Sequence, residues 1–175
     1  MSDITDNLFT IQAEKYLVER LAALDTLTDI KAFILGAVTE AEVPMDLTPY
    51  CEIFIESEDE QRGMLARDES VYMGKLRFVL NLAQEIGTDL VFGAAGRVVT
   101  LESHARVGYY VKNARDELRR CVNSDFDGLT VDGEYICEFK LRQVRYGLGF
   151  DQRSNTWMNV GEIDFFIRSQ RTTEV

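Results

Sequence analysis

Glu134-Tyr135-Ile136-Cys137-Glu138-Phe139-Lys140-Leu141-Arg142-Gln143-Val144-Arg145-Tyr146 and, downstream, Val160-Gly161-Glu162-Ile163-Asp164-Phe165-Phe166-Ile167-Arg168 are the stretches on which the fold turns. In the first, Tyr135, Cys137, Phe139 and Leu141 alternate with Glu134, Glu138, Lys140 and Arg142; in the second, Ile163, Phe165 and Ile167 alternate with Glu162, Asp164 and Arg168. A period of two marks strands with one buried face, and two such runs close in sequence read as a long antiparallel pair. At Gln143 the apolar phase slips from odd to even, as Val144 and Tyr146 take over. One extra residue, a β-bulge, accounts for the slip. Gly147 to Asn159 reads as a Gly-rich polar loop carrying Trp157, the single tryptophan. If exposed, that ring would anchor a partner; otherwise it folds back onto the sheet.

Working outward, Asp127-Gly128 and Asp132-Gly133 supply turns into the pair. Before them, a helix is expected over Glu102–Asn123. Val107, Val111, Ala114, Leu118, Cys121 and Val122 step along one side, and Arg106, Lys112, Arg115, Asp116, Arg119 and Arg120 occupy the other. That basic side is either solvated or faces an acidic loop of another copy. Phe139, Leu141, Phe165 and Ile167 should pack beneath this helix through Val111 and Leu118. Gly93-Ala94-Ala95-Gly96-Arg97, within Thr88–Thr100, has the outline of a nucleic-acid-clamping GxxG loop but lacks a basic flank, so a simple turn is the expectation.

The chain opens with a helix over Asp3–Leu24, capped by Ser2 or Asp3, with Ile4, Leu8, Ile11, Val18 and Ala22 on one side and Phe9, Tyr16, Leu17 and Leu24 on a second. Two apolar sides imply a helix sunk between a sheet and a second element, or one that meets a neighbouring subunit. A strand over Asp29–Val38 follows, then an acidic loop, Thr39–Thr48. Pro49 leads a second strand, Tyr50-Cys51-Glu52-Ile53-Phe54-Ile55-Glu56. Glu58–Ser70 mixes both charges without periodicity and reads as a long solvated loop. A third strand, Lys75–Glu85, has Leu76, Phe78, Leu80 and Leu82 on one phase but Val79 on the other, so both of its faces should be covered.

With 175 residues, 46% of them hydrophobic and 28% charged, one domain spanning the chain is expected. A formal net charge of −11 argues against wrapping DNA or binding an anionic membrane, since both need clustered cations. It does not argue against a wall past which DNA slides. The three cysteines have no CxxC spacing; Cys121 and Cys137 fall on apolar phases and read as small core residues suited to a reducing compartment. The acidic N-terminus has neither a basic n-region nor an apolar h-region, and no long apolar run suggests a membrane span. His104 is the sole histidine and sits at a helix start, where a surface role outweighs a catalytic one. The run Glu56, Glu58, Asp59, Glu60 has carboxylates for a hard cation but no EF-hand spacing, so no metal and no cofactor are expected.

The order of elements, from the long N-terminal helix through the proline-led strand Pro49-Tyr50-Cys51-Glu52-Ile53-Phe54-Ile55-Glu56 to Gly161-Glu162-Ile163-Asp164-Phe165-Phe166-Ile167, resembles the tail terminator, or tail completion, proteins of long-tailed bacteriophages over about Asp3 to Ser169. The segment Thr88–Thr100 looks like an addition to their pattern. The resemblance implies an α+β subunit with two main helices on a mainly antiparallel mixed sheet and no catalytic activity. It implies a homo-oligomer, a hexameric ring in the virion neck, made in the host cytoplasm. Such a ring caps the tail tube protein, stops its polymerisation, joins a head-side connector or stopper protein, and lets DNA through its lumen without specific binding. Glu56, Glu58, Asp59, Glu60, Arg62, Arg115, Arg119 and Trp157 are then the expected subunit or lumen contacts. The alternatives are another neck ring, adaptor or stopper, and a non-viral α+β small-ligand protein or enzyme with a pocket at His104 or Glu56–Glu60.

Overall fold

The computed structural model describes residues 8–36, 47–62, 68–81, 94–120, 130–131, 133–151 and 156–171. In chain order these form helix α1 (Phe9–Ala22), a 3-10 turn (Asp25–Leu27), strands β1 (Ala32–Leu35), β2 (Tyr50–Arg62) and β3 (Asp68–Asn81), helix α2 (Ala94–Leu118), and strands β4 (Thr130–Val131), β5 (Glu134–Asp151) and β6 (Thr156–Arg171). The strands make one sheet in the order β1-β2-β3-β6-β5-β4. Only β1 and β2 are parallel; every other pairing is antiparallel. The fold class is α+β, as the sequence implies.

Both helices join one core with one face of the sheet: Phe9, Ala13, Leu17 and Leu21 of α1, Val107, Val111, Ala114 and Leu118 of α2, and Ile53, Leu76, Phe78, Phe139, Ile163, Phe165 and Ile167 beneath them. The predicted burial of Phe139, Phe165 and Ile167 with Val111 and Leu118 therefore holds, with Leu141 partly buried against the same cluster. Gly161 lets α2 approach its strand closely. A methyl group there would lie 2.5 Å from Val111 Cγ2 and 2.7 Å from Val107 Cγ1.

In α1 the buried stripe repeats every four residues, and small Ala13 allows close contact. The side expected from Leu8, Ile11, Val18 and Ala22 is not that stripe, because Leu8 and Ala22 are exposed. Ile4 and the caps at Ser2 and Asp3 lie outside the described residues, and the helix begins after Leu8 without a side-chain cap. The partner helix α2 starts earlier than Glu102, since Ala94 and Ala95 are good helix formers and one Gly is tolerated at about 1 kcal/mol. Ala94 to Arg97 are thus neither turn nor clamp. Cys121, Val122, Gly93, the Asp127-Gly128 turn and nearly all of the acidic loop after Val38 lie outside the described residues.

The largest correction concerns Glu58–Ser70. Residues 57–62 and 68–70 are strand, with Arg62 opposite Asp68, so β2 and β3 are two arms of a long antiparallel pair. Ladder pairing overrides the missing alternation, because the preference of a strand depends on its neighbours more than on its residues. The third strand correspondingly runs over Asp68–Asn81, and 82–85 lie outside the described residues. Val79 is buried with Tyr50 and Met158 in a small second cluster, against which Ala32, Ile34 and Val160 pack, so both faces are covered here as expected.

The C-terminal pair is longer than its alternation, and most of the presumed loop Gly147–Asn159 is strand. Trp157 stands half-buried in β6 opposite Phe150. The expected bulge is present, with Arg142 as the extra residue between Leu141 and Gln143. A second bulge between Ile136 and Glu138 makes Cys137 the extra residue. Before it the even positions face the helices, so Ile136 is buried while Tyr135 and Cys137 are not. The core role expected for Cys137 is therefore wrong.

Candidate functional site

The face of the sheet away from the helices carries a row of alternating charge. Register alone places Glu52 of β2 beside Arg77 of β3, Arg77 beside Glu162 of β6, and Glu162 beside Arg145 of β5. Arg77 Nη1 donates to Glu52 Oε1 at 2.8 Å, its Nε reaches Glu162 Oε2 at 3.4 Å, and Arg145 Nη2 donates to Asp164 Oδ1 at 2.8 Å. The row runs from a side chain 1% exposed at Glu52 to one 44% exposed at Arg145. Burial alone would lower the Arg77 pKa, but the charges of Glu52 and Glu162 hold it above the usual value. Arg77 also lies over the Phe54 ring at 5.8 Å. With signs alternating, this face offers neither a phosphate groove nor a cation sink. It is a clamp across four strands.

Three further polar sets fix the helices and one sheet end. Arg20 Nε of α1 donates to Glu117 Oε1 of α2 at 2.9 Å. Arg106 of α2 donates to Asp29 at 3.0 Å and to the Tyr110 hydroxyl at 2.6 Å, while that hydroxyl donates to Asp29. Burial pushes the Asp29 carboxyl up, but the bonds from Tyr110 and Arg106 outweigh it and the net shift is downward; burial and the bond to Asp29 push the Tyr110 phenol up. Both groups are held in their ordinary protonation states, which suits an anchor and not a proton shuttle. At the other end, buried Glu134 accepts from the Tyr72 hydroxyl at 2.7 Å and from Ser169 Oγ, with Arg171 at 3.7 Å.

Among the described residues, none of Cys51, Cys137 and His104 is placed as a nucleophile. Cys51 is wholly buried, and burial, then the charge of Glu52, push its thiol well up. Cys137 Sγ donates to the Arg168 carbonyl at 3.3 Å, and burial raises that thiol too. Exposed His104 packs edge-on against Tyr146 at 5.7 Å between centroids. Among the described residues no group of three His, Cys, Asp or Glu side chains could hold a metal ion, and no helix is long and apolar enough to cross a membrane.

The expected contact residues fall in separate places. Glu56 is exposed beside the bulge of β2 and pairs with Lys75; Glu58, Asp59, Glu60 and Arg62 follow it along β2, opposite Tyr72, Val71, Ser70 and Asp68. Arg115 is half-buried on α2 with its Nε 3.8 Å from Asp116, and Arg119 is exposed just past the helix end. Sequence reading missed the outer margin of β5. Arg142, Gln143, Arg145, Tyr146, Gly147 and Leu148 are all exposed, with Tyr146 47% and Leu148 46% accessible. The Val144–Tyr146 phase does face the helix side, where Val144 packs on the core and His104 of α2 meets Tyr146, but α2 lies mainly over β6 and leaves Tyr146 and Leu148 about half exposed.

No family model matches the chain, and no curated protein matches it in sequence. Among solved structures, a chain of the virion of a native gene transfer agent particle superposes over 97% of this chain and 99% of its own, with a TM-score of 0.49 and 14% identity.

Proposed function

We propose that the chain is a structural subunit of a phage-like virion neck: a ring, hexameric by the family resemblance, that caps the tail tube and joins it to a head-side connector or stopper. The observation that carries the reading is the order helix, three strands, helix, strand pair, with both helices on one face of a single mixed sheet. That is the arrangement the resemblance to tail terminators implies. The ion pairs that tie strand to strand and helix to helix are those of a rigid building block. Capping needs no catalyst: a ring seated on the growing end occupies the sites where the next tube subunit would add. The balance of −11 lets DNA pass, since an acidic wall repels phosphate.

Negative-stain images of the purified protein, alone and with its cognate tail tubes, test this. Rings with a central hole, and tubes that carry one at an end and stop growing, are expected. A strict monomer that leaves tube growth unchanged overturns the reading.

A further inference from the structure

The two lateral margins of the sheet are unlike in charge, and among the described residues each runs on past the short strand that covers it. On one side, β1 covers β2 only from Tyr50 to Ile53; Gly36 N then bonds the Ile53 carbonyl, and Glu14 takes the Ile55 N–H at 2.8 Å. Beyond that point, residues 57–62 of β2 pair only with β3 among the described residues. Residues 55–62 of the sequence read Ile-Glu-Ser-Glu-Asp-Glu-Gln-Arg, with four carboxylates before the first cation. On the other side, β4 covers β5 only at Glu134 and Tyr135, so residues 136–151 pair only with β6 among the described residues, and the mainly exposed part of that run is 142–148. Residues 140–150 contain Lys140, Arg142 and Arg145 and no carboxylate; within the chain Lys140 pairs with Glu138 and Arg145 with Asp164, and all three cations remain exposed to a neighbour. An exposed strand margin is a template for another strand.

We infer that the chain joins a second copy of itself head to tail, the acidic margin of β2 in one copy adding to the basic margin of β5 in the next. The inference rests on the ring reading above and supplies its contact. Directions agree. With β2 antiparallel to β3, β3 to β6 and β6 to β5, β5 runs opposite to β2, so the next copy set side by side without inverting its faces presents β2 antiparallel to β5. The contact is heterologous, since each copy uses two different margins, and such contacts close into rings when the rotation between copies allows it. The open run of β2 lies at the level of residues 134–140 of β5, whereas the exposed run of β5 lies further along. Joining them therefore staggers each copy against the last, as a sheet closing on itself must. Exposed Tyr146 and Leu148 lie on the receiving margin and add apolar area to the charge match.

Two charge-reversed proteins test it, K140E/R142E and E58K/E60K, with far-UV circular dichroism and melting to verify the fold. Each retains one wild-type margin and reverses the other, so each alone presents like charges to its own copies and should associate about tenfold more weakly or worse than wild type by sedimentation at low ionic strength. Mixed in equal amounts, each copy meets an opposite margin on both sides, and assembly to wild-type size should return as a one-to-one particle by native mass spectrometry. If either double variant fails to fold, the single variants R142E and E58K carry the same test. Rings formed by each variant alone, or a mixture that stays dissociated, overturn the margin assignment while leaving the ring reading intact. Variants that keep rings but lose tube binding give the margin to the tube protein and also overturn it. A wild-type chain monomeric with and without tubes removes both.

Discussion

On the helix side of the sheet, Leu76, Ile163, Phe165 and Ile167 have no exposed surface, and what holds them is apolar area taken out of water. One residue along each of the same strands, on the other side, Arg77, Glu162 and Asp164 meet as charges. The first kind of contact tolerates any neighbour of the right volume. The second resists a one-residue slip, which would carry Arg77, Glu162 and Asp164 onto the apolar face. The same backbone thus obtains its stability mainly from one face and its alignment from the other.

The strongest attempt to break that contrast is Phe165→Ala. Its ring touches Phe139 at 5.7 Å between centroids and lies against Gly74, so truncation should cost roughly 3–5 kcal/mol. A denaturant melt showing less than about 1 kcal/mol would mean that the apolar face does not dominate. Next comes Arg77→Ala, which leaves the buried Glu52 carboxylate without its cation and should cost roughly 3 kcal/mol. The pair E52L/R77M should recover most of that loss. If it does not, the row contributes stability as well as register.

A smaller effect sharpens the gradient along the row. Arg145→Ala removes the exposed end and should change stability by about 0.5 kcal/mol or less, falling further at high salt. The smallest is a pH effect at Glu14, whose carboxyl is raised by burial, with the Ile55 N–H pulling it back part of the way. A carboxyl with a raised folded value favours folding below its unfolded value near 4.5 and loses that contribution as pH rises through the folded one. Glu14→Gln keeps the acceptor for Ile55 N, so its melting temperature should match wild type in acid and equal or exceed it at neutral pH. A variant less stable than wild type at neutral pH would show the ionised carboxylate to be favourable.

Much of this architecture is legible in the residues. The C-terminal pair and both helices follow from alternation and helical spacing, and the odd phase of Val79 announces a second buried face. The first bulge of β5 is hidden because Tyr135, Ile136 and Cys137 are apolar in a row and satisfy either phase. Residues 57–62 are hidden because they are polar on both sides, so pairing with β3 leaves no periodic trace. Of the candidate site, Glu56 to Arg62 are visible as an acidic run but are misplaced on a loop. The margin of β5 is invisible, since an unpaired row of backbone groups depends on which strand ends up outermost, and no residue type records that.

The bulges carry a geometric meaning of their own. β3 and β6 pair throughout without a slip, whereas β2 spends one residue more than the stretch of β3 it faces, and β5 two more than β6. The extra residues are taken up where the ladder slips, so β2 and β5 bend there. Each bend sharpens the right-handed twist on the flank of a midline that runs without a slip. Single residues thus write a local twist into the chain before any neighbour arrives.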